Sequence, residues 1–502
     1  MIAKTAVEFK VEGVRERLTN LEQWLAQAAQ CGTGEHKVEE HLFQEMLALG
    51  AQLLGAFLKL VGPGDLGEEV VLKNEHSVKR WPEQHSRRLL TVFGEFSIAR
   101  WVYGTRPGQK IELAPTDQRL QLPESDVSYL LQEWDQLLGT EQAFGLVRDT
   151  LETILGFRQS VDTLERGNRQ MADAAPAFRQ SQPAPKPEDE GVLLVVTEDN
   201  KGVPMVRPVE ATPAGCHRKK GEKANKKQMA CIGCVYTVDP HVRTADELVA
   251  TLFRDPDRPR RKPPEARQKR YWTSLTRAEG GRRTVRAQDE VFQHLRDDVA
   301  LRRRPRQTVV HLCDGQHSLE TNRHKYLPLD KRTVDVLDLM HVLPRLWEAA
   351  HLFHREGSDA ASQFVRERLH RVLEGETGRV IGGLRQMGTK HGFRGPHRKR
   401  LRRLCEFLEN NLHRMRYDAY LRAGYPIATG VIEGACRHVI KDRMERAGMR
   451  WKVPGAQAML QLRAIHANGD WRVFQDDRIK HETARLYPHA RILHKTVWTL
   501  AL

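Results

Sequence analysis

Three acidic residues have the types and settings that could hold cations: Asp199 in VVTEDNKGVP, Asp314 in VVHLCDGQ and Glu433 in YPIATGVIEGACRHVIKD. Carboxylates brought together repel one another and raise their own pKa values unless a cation sits among them. Hard oxygen donors suit Mg²⁺, with Mn²⁺ as a substitute. Two such ions roughly 4 Å apart activate an attacking oxygen and stabilise a leaving one at phosphorus.

Taken singly, each aspartate is explained as well by a turn or cap, Asp314-Gly315 being a good turn dipeptide. Their context argues for more. Asp199 is expected to end one strand and Asp314 another, and open sheets containing parallel strands place ligands just beyond strand carboxyl ends. Alternation selects within Glu198-Asp199: Val195, Thr197 and Asp199 share one face, and Val196, Glu198 and Asn200 the other. Around Glu433, Thr429 is expected to N-cap a helix. Glu433, Arg437 and Lys441 then recur every four residues, with Val431, Ala435 and Val439 opposite. An i, i+4 ion pair explains Glu433–Arg437; the other reading is a carboxylate ligand whose neighbouring cations hold DNA phosphates.

The elements that must position these residues change texture along the chain. Two helices fill the first sixty residues: Leu42, Met46, Leu49, Leu53 and Phe57 follow helical spacing, and Pro63-Gly64 stops the second. That stripe is expected to face intramolecular core rather than a dimer seam. Arg87–Tyr103 reads as a hairpin around Gly94. Two helical segments, Glu141–Leu155 and Ser160–Met171, meet at Gly156, with Ser160 a plausible N-cap. A helix-turn-helix and a plain helical hairpin fit this pattern equally. Ala175 to Pro187 is a Pro/Ala-rich linker, expected to mark a domain boundary. After it come strands at Gly191–Thr197, Met229–Val238, Thr308–Cys313 and Val334–Leu337, helices at Thr244–Phe253 and Ala287–Leu301, and nearly continuous helix from His341 to about Arg422.

The 502 residues suggest about three domains, and 40% apolar residues suffice for real cores. The longest uncharged apolar stretch, Met46 to Leu58, is too short to span a bilayer, and MIAKTAVEFK is no secretory leader. Seven cysteines make no disulfide framework. A soluble cytoplasmic protein with no membrane partner is therefore expected. A net charge of +16 favours polyanions, since each Lys or Arg set on a phosphate releases counterions. The excess is clustered in His217–Lys227, Arg258–Arg270 and His397–Arg403. These blocks put Lys219, Lys220, Lys226, Lys227, Arg260 and Arg261 forward as DNA contacts, joined by Arg437 and Lys441. Trp451 is placed with them as a residue that stacks on an unpaired base, although a core tryptophan is commoner. Cys231-x-x-Cys234, with Cys216-His217 upstream, has the composition of a zinc site, but residues three apart on a strand face opposite ways; the zinc reading stays open.

The order strand–Asp199, strand–Asp314, helix–Glu433 resembles the DDE triad of ribonuclease-H-like transposases. YPIATGVIEGACRHVIKDRMERAGMRW is similar to the glutamate-bearing helix of bacterial insertion-sequence transposases of the ISKra type, and TEDNKGVP to their first-acid motif, though that group more often has Ala-Asp-Gly where this chain has Glu198-Asp199-Asn200. The likeness covers roughly residues 190 to 465. Asp338-Leu-Met-His341 is similar to the Asp/Cys-x-x-His motif of Mutator-like and related DDE transposases. Here Asp338 can cap the helix that begins around His341, whose imidazole braces the site and is not counted as a metal ligand.

The resemblance implies an α/β, ribonuclease-H-like mixed sheet carrying a helical insertion, with an N-terminal mainly helical region that has a β-hairpin and a helix-turn-helix. It implies catalytic and metal-binding Asp199, Asp314 and Glu433, a two-Mg²⁺ site, water and then a 3′-OH as nucleophiles, double-stranded transposon-end and target DNA as partners, and homo-oligomers on that DNA in a nucleoid-associated setting. The expected organisation is a helical region with hairpin (1–125), a helix-turn-helix-like region (126–175), a linker (176–190), a catalytic core (191–340 and 426–465), a helical insertion (341–425) and a helical tail (466–502). A ribonuclease-H-like nuclease without strand transfer, and a domesticated DNA-binding protein without catalysis, are the alternatives.

Overall fold

The computed structural model describes residues 12–72, 75–206, 227–258, 261–279, 283–327 and 330–489. The chain forms two compact units, 1–174 with 472–502, and 175–471.

The first unit opens with helices Glu12–Gln30 and Glu35–Val61. An Arg17–Glu45 ion pair of 3.1 Å and the Trp24 ring against His41 hold them together. The expectation that the second helix's apolar stripe faces core is overturned: Val61 is its one fully buried residue, while Met46, Leu53 and Phe57 are exposed. The helix is apolar nearly all round, and one neighbouring helix with one hairpin cannot cover every side. By length and mean hydropathy, 1.2 over its most apolar stretch, it would also suffice to cross a bilayer. A hairpin pairs His85–Thr91 with Gly94–Arg100 in register Leu89↔Phe96. A small sheet of Glu69–Val71, Ser77–Arg80 and Tyr103–Gly104, absent from the sequence reading, stands with it. Three helices follow: Tyr129–Glu141, Phe144–Leu155 and Val161–Asp173. The middle one starts at Phe144 rather than Glu141, because Glu141 closes the helix capped by Ser128. Ser160 accepts the Thr163 N–H at 3.1 Å, and Gly156 (φ +76°) ends the helix before it.

The stretch expected as an extended linker is half helix. Ala175–Ser181 is helical and buries Ala175 and Phe178, since Pro176 costs nothing in a first helical turn.

The second unit is built on a five-stranded mixed sheet: β1 (Leu193–Pro204), β2 (Lys227–Val238), β3 (Arg267–Leu275), β4 (Val309–Cys313) and β5 (Thr333–Leu337), in order β5-β4-β1-β2-β3. β5, β4 and β1 run parallel; β2 and β3 are antiparallel to their neighbours. β3 (RQKRYWTSL) falls in a stretch read as a basic cluster, its strand signal masked by the charges that start it. One face of the sheet carries Leu194, Val196, Cys231, Val235 and Trp272 against helix Ala287–Arg302, through Val291, Phe292, Leu295 and Val299. Fully burying each such side chain is worth about 1.5–3 kcal/mol. The opposite face is covered by Gly430–Met444 and by helix Val453–Ala467, whose Leu460 carbonyl accepts from Thr273 at 3.0 Å. Between β5 and Gly430 lie five helices, Leu339–Phe353, Asp359–Leu373, Thr377–Lys390, Gly395–Asn410 and Tyr417–Ala423. They return to the sheet through Tyr417 Oη, which donates to the Leu337 carbonyl at 2.7 Å.

Candidate active site

The parallel ladder between β1 and β4 sets Val195 opposite Val310 and Thr197 opposite Leu312, and stops there. Asp199 and Asp314 each lie two residues further on, so both leave adjacent strands on the same face. Asp199 does not end its strand, as expected from sequence: β1 runs on to Pro204 because β2 pairs with it throughout, Asp199 opposite Ile232. What ends at Thr197 is the partnership with β4. Asp314 follows the last residue of β4 and turns at Gly315 (φ +82°), its Oδ1 accepting the Gln316 N–H at 2.7 Å.

Glu198 points the other way. Its two carboxylate oxygens lie 2.9 and 3.0 Å from His311 Nε2, and His311 Nδ1 lies 3.1 Å from Asp335 Oδ1, which also accepts from Arg323 Nε at 3.0 Å. This buried relay crosses β1, β4 and β5 beneath the acids. Burial opposes charge on His311, yet Glu198 and the bonds to both carboxylates raise its pKa. Burial opposes charge on Asp335 as well, but His311 and Arg323 lower it to about 2. Nothing in the sequence pointed to His311 except its place as the one polar residue in Val-Val-His-Leu-Cys.

Glu433 is brought in by helix Gly430–Ala435, which packs against β1 and β2. Three residues on, Cys436 Sγ donates to Asp199 Oδ2 at 3.0 Å. Residues three apart on a helix share a face, so Glu433 sits one turn from a residue that touches Asp199. The helix then widens into a π segment, Cys436–Lys441. Arg437 turns to Asp442 at 3.8 Å, not to Glu433, and with Lys441 stays exposed, so the i, i+4 ion pair, the alternative to a ligand role for Glu433, does not form.

Asp338, fully buried, caps helix Leu339–Phe353: Oδ1 accepts the Met340 N–H at 2.8 Å, while Oδ2 takes His341 Nδ1 at 3.1 Å and the Thr429 hydroxyl. The helix thus starts at Leu339, slightly earlier than expected; Thr429 holds the N-cap position of Glu433's helix as predicted, its carbonyl accepting the Glu433 N–H at 3.0 Å, but its hydroxyl makes no capping bond and donates to Asp338. One ligand-type atom from each of Asp338, His341 and Glu433 lies within 4.8 Å of the others. Asp338's oxygens are already occupied by three donors, which leaves it a brace.

The electrostatics tie the four outer groups together. Burial first, then the charges of Asp199 and Glu198, raise the Asp314 carboxyl against the Gln316 N–H and His341. The bond to Asp338 raises His341 against its burial, with Asp314 and Glu433 adding to the rise. Asp314 thus feels the charges of Asp199 and His341, and His341 those of Asp314 and Glu433, while among the described residues the ligand atoms that lie within 4.8 Å of one another are those of Asp338, His341 and Glu433 rather than of the three expected acids.

The expected DNA contacts fare differently. Lys219, Lys220, Lys226 and Arg260 lie outside the described residues, as do Cys216 and His217. Lys227 pairs with Glu445, and exposed Arg261 lies 4.0 Å from Glu247. The stacking role for Trp451 is corrected: it is buried, donates its indole N–H to the Met444 carbonyl at 3.1 Å and lies under the Arg443 guanidinium. Its backbone exchanges hydrogen bonds with Pro204 and Val206, so it closes the end of β1. Cys231 and Cys234 are buried in β2 on opposite faces, and among the described residues no cysteine joins a metal-ligand cluster.

No protein-family model matches this sequence, and no curated protein is similar to it. Among solved structures, the Drosophila P element transposase strand transfer complex aligns at 11% identity and a TM-score of 0.22, over 76% of this chain and 85% of that one.

Proposed function

We propose that this chain is a DNA transposase with a ribonuclease-H-like core, cutting DNA with divalent cations and joining the freed 3′-OH to a target. The observation that carries the reading is the side-by-side exit of Asp199 and Asp314 from adjacent parallel strands, on the face to which Cys436 ties Glu433's helix. The mixed sheet and the five helices between β5 and the glutamate's helix agree with it, as does the net charge of +16. The three-helix cluster of 129–173 is assigned the end-recognition role.

The donor set fits hard cations: the groups are all carboxylate but for one imidazole, and burial together with the charge of Asp199 raises the Asp314 carboxyl, a cost that a bound cation would offset. Asp199, Asp314 and Glu433 would hold Mg²⁺ or Mn²⁺, which when bound supplies a nucleophilic oxygen and offsets charge on the leaving oxygen. The chain's own part is positional. The strands set the two aspartates, Cys436 orients Asp199, and Asp338 holds Nδ1 of His341, whose other nitrogen can donate to a phosphate oxygen in the imidazolium form that Asp338, Asp314 and Glu433 favour. Arg437 and Lys441, exposed beyond Glu433, flank the path of a DNA backbone.

The test is strand transfer by the purified chain with pre-cut 3′-OH ends and Mg²⁺. Joined products are expected; nicking without joining would make it a nuclease, and binding without either a non-catalytic DNA-binding protein.

A further inference from the structure

The first unit leaves an apolar face uncovered. On helix Glu35–Val61, Phe43, Met46, Leu53 and Phe57 are 45, 54, 45 and 50% exposed. With Gly50 between them, their spacing alternates three and four residues, the repeat of a helix seam. Gly50 is where the hairpin tip lands: a Cβ there would strike the Phe93 ring, and Phe93, itself 39% exposed, fills the middle of the face.

We infer that this face joins two copies of the chain, packed about a two-fold axis near Gly50 and Phe93. Five side chains about half exposed, at about 200 Å² each, offer about 500 Å² per copy. A pair would bury about 1,000 Å², where specific interfaces begin, and a patch of this size is of the kind that often marks a functional surface. Charge selects the occupant. No ionisable residue falls between Glu45 and Lys59, so a chain of net charge +16 meets itself here without repulsion. The two ends of the helix differ in sign: at one, Glu35, Glu39 and Glu40 outweigh Lys37, with Glu45 paired to Arg17, and at the other stands Lys59. Antiparallel pairing sets Phe43 near the other copy's Phe57 and Glu39 and Glu40 near its Lys59. The acidic end disfavours both nucleic acid and an anionic lipid surface. The inference stands apart from the chemistry of the acidic residues.

Sedimentation equilibrium of the full chain tests it. Wild type is expected at twice its 57.6 kDa mass, and Leu53→Glu or Met46→Glu should weaken the dimer at least tenfold with unchanged circular dichroism and Tm. Leu146→Glu, an equally exposed site on helix Phe144–Leu155, should leave the dimer intact. Glu39→Lys with Glu40→Lys should weaken it, and adding Lys59→Glu should restore it. A monomeric wild type, or a Leu53→Glu protein that dimerises as tightly, overturns the inference. So does co-flotation of a monomeric wild type with neutral phosphatidylcholine vesicles that Leu53→Glu abolishes.

Discussion

His311 holds Glu198 by both carboxylate oxygens, at 2.9 and 3.0 Å, on the side of β1 opposite the one from which Asp199 emerges. Successive residues of one strand thus send one carboxylate into the relay and the other to the opposite face, beside Cys436. A slip of one residue would exchange them, and the relay through Asp335 and Arg323 opposes that slip. Replacing His311 by Leu leaves the buried Glu198 carboxylate without its partner, while part-buried Asp335 keeps Arg323, and breaking a buried pair costs about 3–5 kcal/mol. Urea unfolding of His311→Leu should show that loss, with partial recovery in His311→Leu/Glu198→Gln.

The same relay makes stability pH-dependent. His311's folded pKa lies above its ordinary 6.5, so its stabilisation is complete below 6.5 and is lost as pH rises through the folded value. Asp335, lowered to about 2, contributes above 3.8 and is lost only as pH falls toward 2. Wild-type Tm should therefore decline on the alkaline side with a component that His311→Gln lacks. Parallel Tm profiles from pH 6 to 9 would refute the charged imidazole.

Asp199→Asn, Asp314→Asn and Glu433→Gln should each cut Mg²⁺-dependent nicking by more than the roughly 10- to 100-fold typical of residues behind a metal ligand. DNA affinity, measured by fluorescence anisotropy, should hold or rise as negative charge is removed. Nicking retained in all three would remove these acids from the chemistry.

Asp338 supports a helix terminus, Thr429 and His341 at once. Asp338→Ala should cost more than the ~1 kcal/mol of a lost cap. His341→Ala, part-exposed, should depress turnover with little change in Tm. A large Tm loss in His341→Ala would make its role purely structural.

Because Trp451 is buried, Trp451→Ala should destabilise by about 3–5 kcal/mol without altering DNA affinity of the folded fraction. A selective loss of affinity for ends with unpaired bases would reinstate stacking.

Much of this arrangement was legible in the sequence, and the exceptions share a cause. Apolar β-branched runs disclosed β1, β2, β4 and β5, and alternation separated Asp199 from Glu198, because period-two patterning is local. β3 escaped since Arg267, Lys269 and Arg270 lie in its charged half, while its strand character comes from pairing with β2. The end of the β1–β4 ladder, the π turn after Ala435 and the burial of Trp451 are set by contacts more than a hundred residues away in sequence or by crowding at the helix itself. The exposed stripe on Glu35–Val61 was visible as a pattern, but a pattern says which residues share a side, not what lies against it.

The early stop of the β1–β4 ladder carries one more consequence. Past Thr197 and Leu312 the strands fork, and the two aspartates ride on separate tines that no shared main-chain bond ties together. Their separation is therefore held from outside that ladder: β2 and Cys436 hold Asp199, the turn at Gln316 holds Asp314, and Asn200 Nδ2 donates to Gln316 Oε1 at 3.0 Å across the gap.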